Sequence, residues 1–90
     1  MHWNGAIVVE RTVRRLASEA AAHFKKTAAA LVEMREMFPF PQGGQPDEPT
    51  AANRAVELLR AAREAEEQGI QVLEGLLDFM KAYWSEQWVN

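Results

Sequence analysis

The chain has 90 residues, no cysteine, a formal net charge of -3, and 48% hydrophobic but only 9% aromatic residues. That length allows one domain and excludes a barrel or a dinucleotide-binding unit with a separate substrate domain. Without cysteine there is no disulfide staple, thiolate zinc site, iron–sulfur cluster or thiol nucleophile, and a reducing, cytoplasmic location is expected.

The first residues carry only a four-residue apolar run, Ala6 to Val9, with Arg11, Arg14 and Arg15 after it. A signal peptide needs its basic flank before a run of roughly 7–15 apolar residues, and a membrane span needs about 20, so neither is expected. Ile7, Val8 and Val9 also suit a short strand, but no partner strand follows. The dominant pattern is helical. Val13, Leu16, Ala20, Phe24, Thr27, Leu31, Met34 and Phe38 recur at steps of three and four, while Arg11, Arg14, Arg15, Ser18, Ala22, Lys25, Lys26, Glu33 and Glu36 mark the opposite face. This spacing predicts an amphipathic helix over residues 5–37, with Asn4 as its N-cap.

Residues 38–49 hold all four prolines and the Gly43-Gly44 pair. An interior proline costs a helix about 3 kcal/mol, so the chain is expected to turn here. A second helix over 50–88 follows, and it carries two adjacent apolar stripes. One is Leu58, Ala62, Ala65, Gly69, Val72, Leu76, Phe79 and Tyr83. The other is Val56 and Leu59, then Arg63 and Glu66, then Ile70, Leu73, Leu77, Met80 and Trp84. Between Ile70 and Trp84 only Gln71, Glu74, Asp78 and Lys81 clearly point to water on this reading. Gly69 and Gly75 interrupt the helix, and close backbone packing is a usual reason for such glycines. A break near Gly69 would instead give a compact three-helix monomer.

The expected fold is therefore all-α, a single αα-hairpin domain of helices about 50 and nearly 60 Å long. One neighbouring helix cannot cover both stripes of the second. A thin hairpin without disulfide or metal is short of stability, so the simplest completion is a homodimer forming a four-helix bundle, with a different protein as the alternative occupant. In an antiparallel hairpin the numbers of facing residues sum to about 87. His2 and Trp3 then fall near Tyr83, Trp84 and Trp88, either as an aromatic plug or as a partner patch. The expected partner surface is Trp3, Ile70, Leu73, Leu77, Met80, Tyr83, Trp84 and Trp88.

Three further constellations carry charge or metal-donor groups. Glu19 and His23 stand four residues apart at the edge of the apolar stripe, and the pairing rule sets His23 opposite Glu64, Glu66 and Glu67. These are the donors of a bundle metal site, yet the Glu-x-x-His spacing of ferritin-like centres is absent. Glu19, His23, Glu64 and Glu67 are thus weak metal candidates, and the expectation is no cofactor. Arg63 and Glu66 lie inside the second apolar stripe, where one polar layer can fix register and partner choice. Arg11, Arg14, Arg15, Lys25 and Lys26 form a basic patch that could follow a phosphate backbone. Against nucleic acid stand the acidic pI near 5.3 and the lack of interleaved aromatics.

No phosphate loop, nucleophile elbow, HExxH or EF-hand loop is present. Ser18 and Ser85, the only serines, have no base and orienting acid to serve them, and His2 and His23 are far apart in a hairpin. Trp3-Asn4-Gly5 sits at the start of the chain, not in the central turn where the WXG-type secretion proteins carry Trp-x-Gly. The sequence therefore points to a non-enzymatic interaction module that oligomerises and docks on a larger protein to regulate or assemble it. A metal-binding bundle and a nucleic-acid-binding hairpin are the alternatives.

Overall fold

The protein is described by a computed structural model. It describes residues 3–37 and 48–89, with side chains over 5–37 and 50–83. Two helices account for these residues, α1 (Trp3–Glu36) and α2 (Glu48–Val89), and there is no strand among them. The Ile7-Val8-Val9 segment is helical. The proline-rich residues 38–47 lie outside the described residues. At the end of α1 the Met37 N–H donates to the Met34 carbonyl at 3.1 Å, an i to i−3 bond that tightens the last turn.

The helices run antiparallel as a rod with extents of 70 × 17 × 14 Å. Its radius of gyration is 20.4 Å, where a compact 90-residue domain would measure about 12 Å. α2 continues unbroken through Gly69, so the three-helix alternative is excluded. The inner face of α2 is the expected one. Leu58, Ala62, Ala65 and Gly69 are buried, and Val72, Leu76, Phe79 and Tyr83 are half-buried. On α1 the inner face holds Val13, Leu16, Ala20, Phe24, Thr27 and Met34.

Leu31 departs from expectation. It is 42% exposed, while Ala30 beside it is half-buried. A straight helix drifts relative to a fixed three-and-four pattern, and near the turn Ala30 and Met34 fill the inner position that Leu31 would take.

Three contacts set the register. The Thr27 hydroxyl donates to the Ala62 carbonyl across the interface at 3.0 Å, with a longer 3.3 Å approach to the carbonyl of His23 on its own helix. The ring of Phe24 lies over Gly69. The guanidinium of Arg54 bonds the carboxylate of Glu33, and also reaches Glu57 at 3.6 Å. These pairs sum to 89, 93 and 87, so the expected pairing near 87 is met at Thr27–Ala62 and Glu33–Arg54, while the long Phe24 side chain reaches Gly69 more than a turn away.

The core is thin. Ala20, Leu58, Ala62 and Ala65 are its most buried apolar residues, and no side chain among those described is fully buried. An alanine methyl contributes only about 0.8 kcal/mol on burial. Small side chains bring the helices close, but they give this pair little hydrophobic stabilisation of its own.

Candidate functional site

Helical geometry sorts the remaining side chains by flank. Successive residues turn by about 100°, so in an antiparallel pair the two helices share two open flanks. The Arg54–Glu33 bridge lies on one of them. On the other, α2 presents Val56, Leu59, Ile70, Leu73 and Leu77, whose exposures run from 42 to 54%. This is the second stripe expected from the sequence, and α1 does not cover it. Met80 is half-buried at its far end.

The α1 residues on the same flank include Ala17, Ala21 and Ala28, all exposed, with Leu31 and Val32 near the turn. The flank therefore carries large apolar side chains on one helix and mostly small ones on the other. Val8, 60% exposed, falls on the opposite flank of α1, apart from this band. Exposed apolar side chains recurring along one flank mark association, whereas a single exposed apolar residue such as Val8 needs no special account.

Arg63 and Glu66 sit in the middle of the exposed stripe. Both face water in the single hairpin, and Arg63 makes only a 3.9 Å approach to Glu67 on its own helix. The aromatic cluster expected at the open end falls largely outside the described residues. The side chains of Trp3, Trp84 and Trp88 and the whole of His2 are not described. Tyr83 is half-buried on the inner side of α2 and has an interaction partner.

The metal candidates are dispersed. Glu19 bonds Arg15 at 3.1 Å, Glu67 approaches Arg63, and Glu64 and Glu66 point to water. Among the described residues no group of three His, Cys, Asp or Glu could hold a metal ion. The expectation that His23 faces Glu64, Glu66 and Glu67 is corrected here. At that level α2 turns Ala65 and Gly69 inward, because carboxylates lose hydration in the interface and methyls do not. The Nδ1 of His23 is buried without a hydrogen-bond partner.

All five residues of the basic patch are exposed. Two are partly neutralised within the helix, Arg14 by Glu10 and Arg15 by Glu19, each at 3.1 Å. That interleaving of acids weakens the patch as a track for phosphates. Neither described helix is apolar enough over its length to cross a membrane.

Comparison with known protein families, with curated proteins and with solved structures gives no match. The class defined here is accordingly architectural: an α-helical hairpin with one covered and one open apolar stripe on the same helix.

Proposed function

We propose that this chain is a small non-enzymatic interaction module. It self-associates through the open flank and docks on a larger protein to regulate or assemble it. The carrying observation is the band from Val56 to Leu77, apolar at five positions and left uncovered by the partner helix. Each such side chain is about half exposed, so covering it recovers on the order of half of the roughly 1.5–3 kcal/mol of a full burial, and five together give the band a drive toward another chain. The thin, alanine-rich core supports the same reading, since association would add the burial that the hairpin lacks. The cysteine-free composition suits work in a reducing compartment such as the cytoplasm.

An apolar dye and light scattering test this together. The reading expects purified protein either to assemble or to bind the dye, and Ile70→Lys to reduce whichever occurs. A monomer that binds no dye would sink it. Affinity capture from the source cells, comparing wild type with Ile70→Lys, then separates the stripe's specific partner from background.

A further inference from the structure

We infer that the occupant of the open α2 stripe is a second copy of this chain, stacked with its α2 antiparallel and the twofold axis passing between Arg63 and Glu66. This deepens the proposed function and rests on it. The stripe is complementary to itself. About such an axis Arg63 meets Glu66 of the other copy, and the same pair forms again on the other side. One step outward, Leu59 meets Ile70; two steps outward, Val56 meets Leu73. Beyond these, Leu77 covers the exposed methyl of Ala52. Every apolar position then faces an apolar one, and the single charged layer is matched.

Other registers fail on charge. Moving the axis toward the turn sets Arg63 against its own copy. Moving it the other way sets Glu66 against its own copy, or lays Arg63 on Leu73 and Glu66 on Ile70. A parallel stack opposes like charges at both positions. Removing an ion from water without a partner costs several kcal/mol, so one register is favoured over its neighbours. A foreign helix would have no reason to find this stripe symmetric about its own charged layer. The Arg63 side chain is 82% exposed and holds Glu67 only loosely, so it is free to reach across. The exposed Ala17, Ala21 and Ala28 of α1 allow the second helix pair in the stack to approach closely. The product is a four-helix bundle with the two turns at opposite ends.

The test uses Arg63→Glu, Glu66→Arg and their equimolar mixture, followed by light scattering and circular dichroism. Wild type is expected at twice the chain mass. Each variant alone opposes like charges and should dimerise roughly tenfold or more weakly. The mixture restores both cross-pairs and should recover the dimer. If either variant loses its helix alone, recovery of helix on mixing reads out the same rescue. A wild-type monomer overturns the inference, as does a dimer that the single variants leave unchanged or that mixing fails to restore. These results are distinguishable from failure of the interaction reading itself. A monomer that still binds apolar dye through the stripe removes self-association but keeps docking on a different protein, whereas a monomer that binds none removes both.

Discussion

The ring of Phe24 fills the space where Gly69 has no side chain. A Cβ added at Gly69 would stand 2.8 Å from the ring's Cζ and 2.9 Å from Cε1, closer than such atoms approach. At Gly75 a Cβ would meet nothing within 4 Å. Two glycines in one helix thus have opposite meanings. Gly69→Ala gains up to about 1 kcal/mol of helix propensity but must displace the ring, and overpacking costs about 1–3 kcal/mol. The net effect expected in chemical denaturation is a loss. Gly75→Ala should gain roughly 0.5–1 kcal/mol. Phe24→Ala should shrink the penalty at Gly69, because the two positions share one space.

Thr27→Val keeps the shape of the side chain and removes its hydroxyl. The Ala62 carbonyl retains its helical N–H donor, so no buried acceptor is stranded. The expected cost is about 1 kcal/mol or less, measured by urea unfolding. A loss above about 2 kcal/mol would mean that the bond does more than align the helices.

The bridge between Arg54 and Glu33 links the helices but stands in water, with side chains 50% and 52% exposed. Exposed pairs contribute about 0–1 kcal/mol and are screened by salt. Arg54→Ala should change the melting temperature little, and less still in high salt.

Replacing Leu73 by lysine puts a charge in the apolar part of the open stripe beyond Glu66, away from the buried Leu58, Ala62, Ala65 and Gly69. Helicity should persist while dye binding or assembly falls. A collapse of helicity at every protein concentration would show that Leu73 belongs to the hairpin's own core.

Dispersal of Glu19, His23, Glu64 and Glu67 leads to one further expectation. Zinc or iron(II) added to the purified protein should leave its melting temperature unchanged, and metal analysis should find no stoichiometric ion. A rise that His23→Ala removes would contradict it.

How far the chain could be read in advance depended on the direction asked about. Position along the rod was legible. The proline-rich residues 38–49 were expected to interrupt the helix, and the described helices stop at Glu36 and resume at Glu48; simple antiparallel counting set Thr27 near Ala62. The inner stripe of α2, from Leu58 to Tyr83, was legible because every member is apolar and the period is held throughout. Direction around each helix was harder. His23 and the three glutamates were set facing each other by counting along the axis, which says nothing of azimuth, and the three glutamates are exposed. Leu31 was misplaced for a related reason, as drift at a helix end trades it for Ala30. Gly69 and Gly75 could not be told apart, because the difference lies in which neighbour stands above each. The open stripe was visible as a surplus of apolar residues; what covers it depends on a second surface.

Because no described side chain is fully buried, this hairpin has length but no depth. In a globule, amide protons exchange with solvent slowly where they lie far beneath the surface. Here every amide of the described helices lies within one helix diameter of water. Protection should therefore be graded along the rod, strongest where Phe24, Thr27, Ala62 and Gly69 hold the helices in register and fading toward both ends. Partial opening should take the form of unzipping from a tip, one helical turn at a time, rather than loosening of a centre.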